Sequence, residues 1–167
     1  MQVQEIMSSP AITIGPEMRI QEVARIMREN QISGVPVVDA DGVLLGAVTE
    51  LSLIARNAPL KQPRYLAVLS AYIPLGIDEY YEYKEQLRQA MATNAGELMD
   101  TEVRTVEPTT TVEEALELML NPENSSLPVI ENDRVVGVVT RTDLVRLIET
   151  LEMAPEDNQA QRSRPIS

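Results

Sequence analysis

With 167 residues the chain is long enough for one compact core or for two small halves folded against each other, and no second fold is required. The absence of cysteine and histidine excludes disulfides, thiol nucleophiles, Cys/His metal sites and histidine acid-base catalysis. A net charge of -12 disfavours nucleic acid as a partner, whereas a single nucleotide needs only a few local donors to outweigh distant, screened charge.

Five Tyr with neither Trp nor Phe make the core aliphatic and leave little material for base-stacking platforms. Residues Met1 to Glu5 carry no basic region before an apolar run, and no apolar stretch approaches the roughly 18 residues needed to span a bilayer. A cytoplasmic protein without a membrane partner is therefore expected.

The chain repeats itself. At an offset of 92 residues, as from Pro36 to Pro128, the residues Glu5, Met7, Thr13, Pro16, Glu22, Met27, Ser33, Val37 and Asp41 recur as Glu97, Met99, Thr105, Pro108, Glu114, Met119, Ser125, Val129 and Asp133. After Asp41-Gly42 the offset becomes 91, and Gly46, Val48, Thr49 and Leu53 recur as Gly137, Val139, Thr140 and Leu144. One residue has been lost in a turn.

Each copy begins with an extended piece, Ala11 to Ile14 or Val103 to Val106, followed by Pro16 or Pro108. Apolar residues at i, i+3, i+4 and i+7 then predict a helix with one buried stripe: Ile20, Val23, Ala24 and Met27, and again Val112, Ala115, Leu116 and Met119. In the second copy Thr110 and Thr111 stand three residues before Glu113 and Glu114, a capping-box start; the first copy has only Pro16 and Glu17 there. Two β-rich runs follow as a tight hairpin, Val35 to Val38 with Val43 to Val48, and Leu127 to Ile130 with Val135 to Val139. A last helix runs from Glu50 to about Asn57, and from Thr142 to about Met153. The fold class is α/β, of the α+β kind, with two β-α-β-β-α units. About 50 residues per unit bury too little surface alone, so the two are expected to face each other as one module.

This divides the chain into repeat one at 1–58, an insertion at 59–95, repeat two at 96–153 and a polar, aperiodic tail at 154–167 that is expected to be disordered. The insertion holds all five tyrosines. Tyr65, Leu66, Leu69, Tyr72 and Ile73 suggest a short helix after Pro63, broken by Pro74 and Gly76. Asp78 is a candidate cap for a second helix, with Ile77, Tyr80, Tyr81, Leu87, Ala90 and Met91 near helical spacing. The result is read as a helical insertion, either packed on the module or a symmetry mate, or acting as a ligand-dependent lid.

The functional candidates sit where the last strand meets the last helix. In Gly137-Val138-Val139-Thr140-Arg141-Thr142-Asp143 a glycine permits close approach, with a hydroxyl three residues on and a carboxylate three further, a plausible grip for a sugar-phosphate. The same residues also read as a strand-end cap and a helix N-terminal acid, and Gly46 and Gly137 as packing positions. Met7 and Met99 are read as packing residues.

Two copies of this unit, each with a Pro-Val strand (Val35-Pro36-Val37-Val38; Leu127-Pro128-Val129-Ile130) and a Gly-x-x-Thr-x-x-Asp-type ending, resemble a tandem pair of CBS domains, the regulatory repeat named after cystathionine β-synthase. The resemblance covers Glu5 to about Ile54 and Glu97 to about Leu151. It implies a pseudo-twofold module, commonly a homodimer, with clefts for an adenine nucleotide (AMP, ADP or ATP) or another adenosyl ligand acting as a regulator; no cofactor is required. Carried over, Thr140 would meet phosphate or ribose and Asp143 the ribose hydroxyls, with Val103, Arg104, Thr105, Leu127 and Pro128 around the base. The repeat-one counterparts are Ile12, Thr13, Gly34, Val35, Pro36 and Thr49.

Repeat one departs at Ser52, which stands where Asp143 does. A charge-assisted hydrogen bond contributes about 1.5 to 3 kcal/mol against about 1 for a neutral one. Arg141 is matched by Glu50 and Arg104 by Ile12, so a phosphorylated ligand is expected to prefer the cleft governed by repeat two. Arg141 and Arg104 read equally as solvated surface residues. No Walker loop, G-x-G-x-x-G or metal-spaced acid cluster is present, which points to a non-enzymatic binding module acting on a further protein target. The alternative is a ligand-free dimerisation scaffold in which the clefts are vestigial and the insertion makes the interface.

Overall fold

A computed structural model describes residues 1–60, 65–68, 71–74 and 76–152. After a 3-10 turn at Val3–Glu5, the chain forms α1 (Ile20–Asn30), β1 (Gly34–Val38), β2 (Leu44–Thr49) and α2 (Glu50–Arg56). The insertion contributes β3 (Tyr65–Val68), β4 (Ala71–Pro74) and α3 (Ile77–Met91). Then come α4 (Ala95–Leu98), α5 (Val112–Met119), β5 (Ser126–Glu131), β6 (Arg134–Thr140) and α6 (Arg141–Glu152).

The two hairpins form as their alternating, β-branched sequences require. β1 pairs antiparallel with β2, β5 with β6, and both carry an irregularity at the same repeat position, Val37/Val38 and Val129/Ile130. The missing residue lies in the turn: Asn132 and Asp133, both at positive φ, close the second hairpin as a two-residue turn. The first uses a longer loop, in which Asp39 Oδ1 accepts from the Asp41 and Val43 amides and Gly42 takes φ 83°. The predicted extended pieces run beside the hairpins through single parallel bridges, Ile14 to Val37 and Val106 to Val129.

The helices follow the sequence with one correction. α5 starts on the expected box, the Thr111 hydroxyl accepting from the Glu114 amide while Glu114 accepts from the Thr111 amide. α1 begins at Ile20, the repeat equivalent of Val112, and as expected lacks a cap: Arg19 stands at the N-cap and offers no side-chain bond. Pro16 and Met18 instead give their carbonyls to the amides of Gly96 and Ala95. The buried stripes keep Ile20, Val23 and Met27, and Val112, Ala115 and Met119, but Ala24 and Leu116 face solvent.

In the insertion the short helix expected after Pro63 is replaced by the antiparallel pair β3–β4, with Tyr65 opposite Pro74 and Val68 opposite Ala71. Tyr, Val and Ile favour extended backbone, and a run this short carries no reliable helical period. The second helix is present as α3, but Gly76 rather than Asp78 is its N-cap, and Ile77, Tyr81 and Met91 are exposed. The expected tail at 154–167 lies outside the described residues.

The halves are joined by an exchange of their lead-in segments. Val3 and Gln4 donate to the carbonyls of Thr110 and Pro108, and Ser8 exchanges both backbone hydrogen bonds with Val138. In the same positions of the other copy, Ala95 and Gly96 donate to Met18 and Pro16, and Asp100 exchanges both bonds with Ala47. Each core is completed by the other repeat's segment: Val3 packs with Val106, Val112, Leu127, Val129 and Val139, while Ala95 and Leu98 pack with Val23, Val35, Val37 and Val48. Full burial of a side chain such as Leu98 contributes about 1.5 to 3 kcal/mol, so neither repeat is complete without its partner segment.

The exchange accounts for both motif glycines. A Cβ at Gly46 would stand 2.5 Å from the Asp100 carbonyl oxygen and 2.8 Å from Met99 Sδ; one at Gly137 would stand 2.6 Å from Met7 Sδ. The close approach is to the crossing backbone. Corresponding positions also meet directly, since a Cβ on Gly34 would lie 2.7 Å from Ser126 Oγ, and the two hairpin turns come together where one on Gly42 would lie 3.9 Å from Arg134 Cγ. A residue touching its own repeat equivalent marks the pseudo-twofold axis, which passes between β1 and β5 and between the two hairpin turns.

Candidate ligand-binding site

The two strand-to-helix junctions adopt the same geometry from different chemistry. At repeat two, Asp143 Oδ2 accepts from the Thr140 amide at 2.8 Å and from Thr140 Oγ1 at 2.7 Å, and Thr140 Oγ1 accepts from the Asp143 amide at 3.3 Å. At repeat one, Ser52 Oγ accepts from the Thr49 amide at 2.8 Å and donates to the Thr49 carbonyl at 3.0 Å. Ser52 Oγ also lies 2.9 Å from Thr49 Oγ1, which accepts from the Ser52 amide at 3.2 Å. Both are reciprocal caps that hold the first turn of α2 or α6.

They differ in what remains after capping. A hydroxyl has one proton and two lone pairs, and those of Ser52 are consumed within the cap. Asp143, 7% exposed, closes its cap with Oδ2 alone. Oδ1 faces Arg146 Nη1 at 3.7 Å, an ion-pair distance longer than a hydrogen bond. Repeat two therefore keeps a carboxylate oxygen with acceptor capacity to spare, and repeat one does not.

The other repeat-two candidates are distributed around this junction. One terminal nitrogen of Arg141 donates to the carbonyls of Met119, Asn121 and Pro122 at 3.0 to 3.2 Å, so this arginine caps the C-terminal end of α5. The expected local basicity consequently rests on exposed Arg104 rather than on Arg141. Leu127 is fully buried in the repeat-two core, and the Pro128 carbonyl accepts from the Val106 amide. Val103, Arg104 and Thr105 lead into that bridge along the edge of β5.

In repeat one, Val35 is likewise a core residue, Pro36 gives its carbonyl to the Ile14 amide, and Gly34 lies at the pseudo-twofold axis. Ile12 and Thr13 are exposed. Thr49 and Ser52 line a cavity of about 1060 Å³ whose other walls include Ser33, Ser125, Asp100–Glu102 and the insertion helix residues Glu85, Arg88 and Gln89. None of these wall residues was singled out from the sequence. The insertion has no repeat counterpart to mark it, and residues 100–102 reach the cavity only through the exchange. A second cavity of about 1170 Å³ is lined by 105–110, α5 residues and the β5–β6 turn, and takes only Thr105 from the candidates.

Among the described residues, no group of three or more acidic side chains is placed to hold a metal, and no helix is long and apolar enough to cross a membrane.

The fold and its paired junctions define a duplicated, pseudo-twofold α/β module whose copies interlock. The CBS domain family model matches residues 3–58 and again residues 95–150, and the chain belongs to the CBS domain family. It is 30% identical over 157 residues to MJ1426 of Methanocaldococcus jannaschii, covering 89% of this chain and 91% of that protein. It is 32% identical over 148 residues to a homoserine O-acetyltransferase of Methanohalobium evestigatum, where 88% of this chain spans only 24% of the relative.

Among solved structures, Arabidopsis thaliana CBSX2 in complex with AMP matches with a TM-score of 0.72 at 22% identity, covering 90% of this chain and 98% of that one. The CBS domain pair of MJ0100, in complex with 5′-methylthioadenosine and S-adenosyl-L-methionine, matches with a TM-score of 0.64 at 26% identity, covering 89% and 99%. The first likeness is one of fold.

Proposed function

We propose that the chain is a non-enzymatic regulatory module that binds an adenosyl ligand, with an adenine nucleotide such as AMP, ADP or ATP preferring the cleft governed by repeat two. The observation that carries this is the spare acceptor on Asp143, set against the saturated hydroxyl of Ser52. A ribose offers two neighbouring hydroxyl donors, and a carboxylate oxygen already anchored through its partner is a preorganised acceptor for them. Thr140 and Arg104 would face the phosphate, and the base would lie along Val103 to Thr105 and the backbone of Leu127 and Pro128. Support from relatives is that the CBSX2 structure holds AMP and the MJ0100 pair holds two adenosyl compounds.

Binding regulates only if the ligand has different affinity for two states of the module, and the interlocked lead-ins give the two repeats a shared element through which to read it. The output would pass to a further protein target in the cytoplasm. Calorimetric titration with AMP, ADP, ATP and S-adenosylmethionine tests the reading: at least one binds below millimolar, and binding of none contradicts it.

A second reading, a homodimerisation scaffold, draws on the exposed apolar residues of α2 and α6, Leu51, Ile54, Val145, Ile148 and Leu151. Ile54 and Val145 occupy equivalent repeat positions. Light scattering on the wild type and on Ile54→Asp/Val145→Asp tests this reading independently of ligand. A dimer that dissociates in the variant is expected, and a monomeric wild type overturns it.

A further inference from the structure

The two crossings are built alike but are not held alike. Val3, Ile6 and Met7 on the crossing onto repeat two are the repeat equivalents of Ala95, Leu98 and Met99 on the crossing onto repeat one. Residues 92–100 bury Ala92, Ala95 and Leu98 to 1% exposure or less in the core they complete. Residues 1–8 bury Val3 to that extent, whereas Ile6 and Met7 stay partly exposed.

The insertion adds a second difference. α3 runs directly into residues 92–100, and two guanidinium groups fasten that stretch: Arg56 Nε on α2 donates to the Ala92 carbonyl at 2.9 Å, and a terminal nitrogen of Arg88 on α3 donates to the Glu97 carbonyl. Glu97 Oε2 in turn accepts from the Thr93 amide at 2.7 Å and from the Thr93 hydroxyl at 2.9 Å. The other crossing relies on its backbone pairs, with the Ser9 hydroxyl on the Val136 carbonyl just beyond it, and no guanidinium holds it among the described residues. A docked segment opens at a free energy set by the apolar surface it buries and the bonds it must break, and separate segments of one protein open separately. Both factors make residues 1–8 the weaker crossing. Its position matters, because the Ser8–Val138 pair and the Met7 sulfur over Gly137 stand two and three residues before Thr140 on β6.

We infer that residues 1–8 are a latch on repeat two, which undocks while 92–100 stays fastened to repeat one, and that the docked and undocked latch are the two states a ligand at Thr140 and Asp143 discriminates. The second half rests on the proposed function; the order of opening does not. Undocking removes the partner of Val138 and frees the end of β6, and with it the Thr140 amide and hydroxyl that Asp143 aligns. A ligand seated on that corner binds the docked state better and so holds the latch closed.

Native-state hydrogen exchange followed by NMR tests this. The amides of Val3, Gln4, Ser8, Val112 and Val138 report the latch, and those of Ala47, Ala95, Gly96 and Asp100 report the fastened crossing. Protection factors in the latch group are expected to be lower by about tenfold or more. Arg56→Ala/Arg88→Ala lowers protection of the fastened group towards that of the latch and leaves the latch unchanged, whereas Val3→Ala lowers the latch group alone. Equal protection of the two groups in the wild type, or a fastened group indifferent to the loss of both arginines, overturns the latch. Added AMP is expected to raise protection of the latch group and not of the fastened one. AMP that shifts the Thr140 and Asp143 resonances without protecting the latch overturns the link to the ligand and leaves the proposed function standing. AMP that shifts neither, at any concentration to millimolar, takes down the nucleotide reading and the link together, while the order of opening is decided by the exchange of the free protein.

Discussion

Repeat one and repeat two turn the same strand-to-helix corner with a threonine and a capping residue three positions on, and the corner is equally well formed in both. Ser52 closes it with a hydroxyl that has nothing left over, whereas Asp143 closes it with one oxygen and keeps the other. As structure the two are interchangeable, and as binding groups they are not. A motif residue can therefore be fully explained by folding and still, under the proposed function, be the residue that decides where a ligand goes. The surroundings point the same way through Arg104, which is exposed in repeat two where repeat one has Ile12.

Substitutions at matched positions break or sharpen this comparison. The largest effect is expected at the glycines that admit the crossing segments. A Cβ at Gly46 meets a backbone oxygen at 2.5 Å, which cannot retreat without breaking the Ala47–Asp100 pair, so Gly46→Ala should cost about 3 kcal/mol. At Gly137 the nearest atom is the flexible Met7 sulfur, and Gly137→Ala should cost about 1 kcal/mol. Urea unfolding of the two variants measures both; equal costs would mean that the crossings are not held as described.

A smaller contrast separates Arg141 from Glu50. Arg141→Ala removes the cation at the end of α5 and should lower stability by about 1 kcal/mol, whereas Glu50→Ala should stay within about 0.5 kcal/mol. Thermal melts suffice. An Arg141→Ala protein as stable as the wild type would return this arginine to solvent and make it available to phosphate.

The smallest effect is a pH dependence. Hydrogen bonds from the Thr111 amide and hydroxyl hold the Glu114 carboxyl below its ordinary value of 4.5, and those from Thr93 do the same for Glu97. A carboxylate with a lowered folded-state pKa stabilises above its unfolded pKa, and that contribution is lost as pH falls through the folded value. Stability should thus decline below about pH 4.5, and Glu114→Gln should flatten part of the decline. No equivalent loss is expected from the start of α1, where Arg19 forms no cap. Urea midpoints as a function of pH measure this, and a slope unchanged in Glu114→Gln contradicts it.

The sequence made the hairpins, the capping box at Thr111 and the whole duplication legible, because all three are patterns of local period or of one copy against the other. The exchange of lead-in segments was not, since the partner of Val3 lies more than a hundred residues away at Thr110 and no periodicity records which repeat it docks on. The strand pair at 65–74 was missed because short apolar runs with Tyr, Val and Ile suit either state. At the junctions the residues were legible and their unequal chemistry followed from Ser52 and Asp143. The commitment of Arg141 to the carbonyls of residues 119–122 required coordinates.

The inequality of the two junctions is tested most directly by titrating AMP into the wild type, Asp143→Asn and Ser52→Ala in parallel. Asparagine retains an acceptor for the cap while removing the charge, so the fold is preserved and the ligand contact is weakened. The expected result is a loss of about tenfold in affinity for Asp143→Asn, equivalent to about 1.4 kcal/mol, with Ser52→Ala unchanged from the wild type. Equal affinity for AMP in Asp143→Asn and the wild type, or a loss confined to Ser52→Ala, would contradict the assignment of the nucleotide to repeat two.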